Sequence, residues 1–409
     1  MLTNEEKRVL IYSTSEKPTK PPEVTAETPL ESLNLNWTER DLPERERTKH
    51  VHRLHSYLGK YIPQLVEVFL RKYFRPSQTI LDPFVGSGTA LVQANELGIN
   101  SIGFDISQFN IILCRAKTAR YDLKKARKEV MDILEKVTSI AQKKVKQLTL
   151  WENPSVYDIS LSETNSEYLK TWFAPQALYE LITYKNLIFA EHYEYKDLLK
   201  VILSRSARSA RLTTHFDLDF PKKPQSEPYW CYKHSRQCYP TQEGFKFLKR
   251  YSLDTLKRIE EFAMIRSDAN VKVEHGDSRD LKIPKIDGVI TSPPYVGLID
   301  YHDQHAYAYH LLGLDDRSEH EIGPASNGSS QKAQQKYLDD IAAVFRLCTE
   351  SMVSGAWLIV VAGDRSNLYP KIADLVGVET EAILQRHVNR RTGRRSSEFF
   401  ESIFIWRKP

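Results

Sequence analysis

Thr79-Ile-Leu-Asp82-Pro83-Phe84-Val85-Gly86-Ser87-Gly88-Thr89 reads as a β-branched strand running straight into a glycine loop, and that junction decides the fold. About two hundred residues on, Asp287-Gly-Val-Ile-Thr291-Ser292-Pro293-Pro294-Tyr295 repeats the pattern, with a proline turn in place of the glycines. The carboxyl ends of parallel strands are where α/β sheets bind ligands. Two such ends in one chain predict a single sheet with a cleft at its rim.

Upstream of the glycine loop, Pro63-Gln-Leu-Val-Glu-Val-Phe-Leu-Arg-Lys-Tyr-Phe74 opens with proline, which suits a first helical turn, and carries an apolar stripe. Downstream, a helix runs to Leu97, is stopped by Gly98, and leads into strand Ser101-Ile-Gly-Phe-Asp105, completing a βαβ unit. From about 119 to 270 the pattern turns helical, with an amphipathic stretch at 121–148 and further helices near 175–207 and 242–265. Between the last two lies a polar, aromatic loop from Thr213 to Pro240. Strands resume at Val271-Lys-Val-Glu and Gly288–Thr291, then a helix over about 333–353 and strands Ala356–Ala362 and Ser402–Trp406. Residues 1–48, rich in proline and charge and without periodicity, predict a partly disordered arm. The expected organisation is that arm, an α/β domain from 49–118 and 271–409, and a mostly helical insertion at 119–270.

Of 409 residues 41% are hydrophobic, enough for a core of this size. No apolar run nears the ~20 residues of a membrane span, so no membrane partner is expected. The start, Met1-Leu-Thr-Asn-Glu-Glu-Lys-Arg, lacks a signal-peptide pattern, and scattered Cys114, Cys231, Cys238 and Cys348 suit a reducing, cytoplasmic location. A net charge of +5 is too mild to imply a polyanion by itself.

The glycine loop is not the dinucleotide pattern, because Thr89, Ala90 and Leu91 follow Gly86 and Gly88. Asp82-Pro83-Phe84-Val85-Gly86-Ser87-Gly88-Thr89 instead resembles the DPFxGSGT loop of S-adenosylmethionine-dependent DNA amino-methyltransferases, residue for residue. The resemblance covers roughly 50–110 and 271–409. It implies a class I (Rossmann-like) methyltransferase sheet, with the helical insertion as a target-recognition region. Gly86 and Gly88 would let the methionine part of S-adenosylmethionine lie against backbone. Asp105, at the next strand end, would accept the ribose hydroxyls. Asp277, in Glu274-His-Gly-Asp277, would bind the adenine amino group, although it follows the insertion where the family leads one to expect it before. Tyr57 and Pro63, in Tyr57-Leu-Gly-Lys-Tyr-Ile-Pro63, resemble the helix start that flanks the cofactor, and an ordinary core helix explains them equally.

An exocyclic amine of cytosine or adenine is a poor nucleophile, its lone pair being delocalised into the ring. Acceptors for both amino hydrogens favour a more tetrahedral nitrogen. Ser292 Oγ and the Pro293 carbonyl are such acceptors, and the Pro293–Pro294 pair fixes φ so that the carbonyl is held rigidly. Tyr295 offers a face for a base flipped from the duplex. No cysteine lies near the tetrad, which argues against attack on a ring carbon. Serine at the first position resembles the N4-cytosine enzymes; aspartate or asparagine is usual in the N6-adenine ones.

Arg205, Arg208 and Arg211 fall at i, i+3 and i+6 on one predicted helical face, separated by small residues. With Arg390, Arg391, Arg394 and Arg395 in a basic turn, they are the expected phosphate contacts. Cys231-x2-His234-x3-Cys238 supplies three candidate zinc ligands but no obvious fourth, so a packed, aromatic DNA-reading loop is expected there and no metal is assigned. His302, His305 and His310 are expected to line or buttress the base pocket.

The resemblance therefore implies a site-specific methyltransferase acting on N4 of cytosine in double-stranded DNA, within a restriction-modification system that pairs it with a cognate endonuclease. The alternatives are N6-adenine methylation, amino methylation of an RNA base, and an inactive DNA-recognition subunit.

Overall fold

The computed structural model describes residues 10–149, 164–215, 217–218, 221–297, 299–388 and 399–409, with backbone alone at 141–149. Eight strands form one sheet: β1 (Leu10–Ile11), β2 (Thr79–Asp82), β3 (Asn100–Asp105), β6 (Val271–His275), β7 (Ile286–Thr291), β8 (Met352–Ala362), β9 (Glu379–Val388) and β10 (Phe399–Arg407). A separate hairpin pairs β4 (Tyr229–Cys231) with β5 (Arg236–Cys238). The sheet order is β1-β9-β10-β8-β7-β2-β3-β6. β10 runs antiparallel to both neighbours, and the other strand pairs are parallel. The chain runs outward from β2 through β3 to β6, then crosses back to β7 on the other side of β2. That reversal of order makes the carboxyl end of β2 the switch point where such sheets bind ligands.

Both faces of the sheet are covered, as a mostly parallel sheet requires. Helix α1 (Pro63–Tyr73) buries Leu65, Val66, Phe69 and Leu70 on one face against Ile80, Ile290 and Ile359. A helix at Gln331–Ser351 packs Ile341, Val344 and Phe345 on the other, against Leu81, Val289 and Leu358.

The N-terminal stretch is ordered rather than a loose arm over its described residues. β1 adds to the edge beside β9, and Val24, Leu33 and Leu35 join the core beneath α1. Its anchors are single apolar residues between prolines, so they leave no periodic signal. The insertion is equally continuous with the rest. Its helices at Pro175–Ala190, Lys196–Ala210 and Phe245–Ala263 share one core with α2 (Gln108–Thr118) and with Tyr307 and Leu311. β6, the first strand after the insertion, pairs with β3 and completes the sheet edge. The late position of Asp277 is thereby explained: the insertion separates two adjacent strands, and the site residue still arrives at the rim.

Candidate active site

The ends of β2, β3, β6 and β7 open onto one cleft of ≈ 780 Å³, its open mouth included. Phe84, Gly86, Thr89, Asp105, Asp277, Ser292, Pro294 and Tyr57 line it together. Residues separated by more than two hundred positions meet because β2 and β7 pair in register, Ile80 with Gly288 and Leu81 with Val289.

Local structure explains the loop. Gly86 has φ +48°, and an added Cβ would lie 3.3 Å from the Tyr57 hydroxyl. Gly88 has φ +78° and caps the helix at Thr89–Glu96, where a Cβ would lie 2.9 Å from Cys114 Sγ. The first glycine keeps backbone open to the cleft. The second lets the loop sit tightly on α2. Gly86 N–H donates to Asp105 Oδ2 and Ser107 N–H to Oδ1, each at 2.8 Å. Burial pushes the Asp105 carboxyl above its ordinary value while those amides favour the anion. Asp277 is gripped by Arg279, whose Nε lies 2.9 Å from Oδ1, and Arg279 also reaches Asp340 at 3.1 Å. Burial works against ionisation of Asp277, but the Arg279 hydrogen bonds outweigh it and hold the carboxyl below the usual range.

Several expected site residues sit behind the cleft wall. Asp82 is fully buried and accepts from Thr291 Oγ1 (2.6 Å), Phe84 N–H (3.1 Å) and the Tyr61 hydroxyl (3.1 Å). Burial raises its carboxyl to about 7. It ties the two strand ends together and does not line the cleft. Pro63 is buried at the first turn of α1, and Pro293 is the buried member of the tetrad. Tyr295 lies outside the cleft lining; its hydroxyl donates to Glu401 Oε1 at 3.0 Å and its ring faces Phe399 at 6.2 Å. Glu401 in turn accepts from Arg386 Nε at 2.8 Å, a buried pair supplied by β10 and β9. The Pro294 carbonyl accepts from the Tyr337 hydroxyl at 2.8 Å.

Sequence reasoning missed Lys60, Ser107, Asn110, Tyr301 and Glu321, which also line the cleft. Asn110 donates to the Tyr57 hydroxyl at 3.1 Å, and its buried Oδ1 has no partner among the described residues. Ser107 was findable: two residues after Asp105 it reads as a helix N-cap, and its Oγ accepts from Asn110 N–H at 3.2 Å. Lys117 is buried and donates to the Ser87 carbonyl, pinning the loop from beneath. The histidines behave as buttresses. His302 pairs with Glu321, and His305 packs on Phe109 and Tyr57 with its pKa lowered by burial to about 4. His310 stacks on Tyr168 at 4.6 Å.

The arginine face of the insertion is corrected by the structure. Arg205 bonds Asp254 at 2.6 Å and covers the Tyr251 ring at 4.2 Å, its side chain only 14% exposed. Arg211 is buried, donates to the Leu218 carbonyl at 2.7 Å and lies over Tyr307 at 4.6 Å. Both are committed inside the protein, because neighbouring helices supply acids and rings that a one-helix reading does not contain. Arg208 is half-buried near His55 and His305, whose pKa values are lowered chiefly by burial and further by its charge. Arg390, Arg391, Arg394 and Arg395 lie outside the described residues.

A sheet of this strand order, with its last strand reversed and a glycine loop facing acids at the next two strand ends, defines a class I S-adenosylmethionine-dependent methyltransferase. A family profile described as DNA methylase (N6_N4_Mtase) matches residues 2–113. The chain is 38% identical over 430 residues to the Type II methyltransferase M.MjaII of Methanocaldococcus jannaschii, covering 89% of this chain and 81% of that one. It is 25% identical to the Type II methyltransferase M.MvaI of Kocuria varians, over 60% of this chain and 53% of that one. Among solved structures, TrmN from Thermus thermophilus is 11% identical, covers 87% of this chain and 52% of that one, and has a TM-score of 0.33, too low to bear on the argument. The chain belongs to the DNA amino-methyltransferase family of the N4/N6 type, and its cofactor is S-adenosylmethionine.

Proposed function

We propose that this enzyme methylates N4 of cytosine in a specific double-stranded DNA sequence, as the modification partner of a restriction endonuclease in a reducing cytoplasm. The observation that carries the reading is Ser292 at the head of the tetrad, lining the same cleft as Asp105 and Asp277. A short serine hydroxyl there leaves the acceptor role to one oxygen and the adjoining carbonyl.

The cleft fits the cofactor. Its volume is ample, Gly86 presents bare backbone, Asp105 keeps lone pairs for hydroxyls, and the unpartnered Asn110 Oδ1 offers a further acceptor. Asp105 and Asp277 would hold the nucleoside part, with Phe84 beside its ring and Gly86, Thr89 and Tyr57 around the methionine part. Bound there, S-adenosylmethionine supplies an electrophilic methyl group. Ser292 Oγ and the Pro293 carbonyl accept the two amino hydrogens of the flipped base and aim the nitrogen lone pair, an effect whose value lies in the transition state. Tyr295, held by Glu401, supplies the ring against which the base stacks. Arg208, Arg390, Arg391, Arg394 and Arg395 are the proposed phosphate contacts.

Digesting DNA from an expressing host to nucleosides and weighing them tests the reading. N4-methylcytosine is expected. N6-methyladenine would overturn the choice of base, and the absence of both, with DNA still bound, would leave only a recognition subunit.

A further inference from the structure

The β4–β5 hairpin in the insertion brings four soft ligand groups together. Cys231 Sγ lies 3.5 Å from His234 Nδ1 and 3.6 Å from His215 Nδ1, and Cys238 Sγ lies 3.5 Å from the same His234 nitrogen. All four ligand atoms fall within 4.8 Å of one another. We propose that His215, Cys231, His234 and Cys238 form a tetrahedral structural zinc site. Zn–S of ~2.3 Å and Zn–N of ~2.05 Å at the tetrahedral angle give an S···N edge of ~3.6 Å, the separation found here.

His215 is the ligand that the sequence pattern lacked. It stands sixteen residues before Cys231, outside any spacing rule for fingers, and reaches the hairpin only because the loop after the Lys196–Ala210 helix folds back. The Tyr229 hydroxyl fixes the loop there, accepting the His215 backbone N–H at 3.0 Å.

The hairpin itself asks for a cross-link. Each strand has three residues, and an isolated pair of strands is marginal in water. Within the two strands only Cys231 and Cys238 are buried, whereas Trp230, Tyr232 and Tyr239 are 57%, 87% and 70% exposed. Apolar burial cannot hold such a unit, while a metal closing four ligands from two segments can. Two thiolates and two imidazoles select zinc over hard cations. The exposed aromatics, with Lys233 and Arg236 beside them, would then be presented to DNA; that role rests on the DNA-methyltransferase reading, whereas the metal content does not.

The full-length protein, expressed with zinc and purified without chelator, should carry about one zinc per chain, and its cobalt form should show intense thiolate-to-metal charge transfer. Cys231→Ser with Cys238→Ser should abolish both signals. His215→Ala, at an exposed position, should weaken zinc at least about tenfold in competition with a chromophoric chelator, while S-adenosylmethionine affinity, measured by calorimetry, stays unchanged and reports an intact sheet. Protein with no zinc that also takes up none at micromolar concentration overturns the site. A Cys231–Cys238 disulfide found by mass overturns it too, and zinc affinity unchanged in His215→Ala removes the fourth ligand.

Discussion

The two halves of the cleft are organised by different means. On the cofactor half, the Asp105 carboxylate is held by backbone N–H groups of Gly86 and Ser107, all from one βαβ unit. On the tetrad half, Tyr295 is held by Glu401, and Glu401 by Arg386, side chains from two strands about a hundred residues downstream. Backbone amides tolerate most substitutions around them. A relay of side chains fails with any member. The cofactor half should therefore lose only what a mutated residue itself contributed, and the tetrad half should show coupling.

The largest effect is expected at the reacting atoms. Ser292→Ala should slow single-turnover methyl transfer by about 10²–10³, the scale for losing one preorganised polar partner of a transition state, with cofactor and DNA affinity nearly intact. Transfer at the wild-type rate would remove Ser292 as an amino-group acceptor. Next, Asp105→Ala should weaken S-adenosylmethionine by about 1.5–3 kcal/mol in calorimetry, the loss of charge-assisted hydrogen bonds. Unchanged affinity in the folded variant would break the cofactor half of the comparison.

The insertion follows the tetrad half's rule, with arginines held by distant side chains. Arg205→Ala should cost about 2 kcal/mol of stability by leaving Asp254 with Arg258 alone and uncovering the Tyr251 ring, read as a lower urea midpoint. Its DNA binding, once folded, should keep the wild-type salt dependence. A flattened salt slope at unchanged stability would return Arg205 to the phosphate face. A smaller effect is expected at Tyr295. Tyr295→Phe keeps the stacking ring but leaves Glu401 with Arg386 alone, at a cost of about 1 kcal/mol. In a double-mutant cycle with Glu401→Gln, additive losses would show that the relay is not coupled.

The remaining effect is a slope with pH rather than a fixed loss. The Asp82 carboxyl, raised by burial to about 7 in the fold, binds its proton more tightly there than in the unfolded chain. Its contribution to stability is thus full below about 4, declines as pH rises, and is lost above about 7. Asp82→Asn removes that dependence, so the stability gap to wild type should shrink between pH 4 and 7 and stay level above. A gap independent of pH would show that Asp82 is ionised throughout.

What the sequence alone determined is local. Strand, loop and acid follow one another within Thr79–Asp105, so spacing and glycine chemistry suffice to read the loop, and the Ser292–Tyr295 tetrad carries its chemistry in consecutive residues. β9 and the helices at 108–118, 301–312 and 369–376 lay outside that reading, as did the ordered N-terminal stretch. Only the tertiary structure decided the rest. Pairing of β6 with β3 returned Asp277 to the rim despite the 165 residues between those strands, and β10 delivered Glu401 behind Tyr295. Neighbouring helices turned Arg205 and Arg211 inward, and a returning loop set His215 beside two cysteines. The physical reason is common to all: a charged or ligating side chain takes its role from the partners packed against it, and those partners come from elsewhere in the chain.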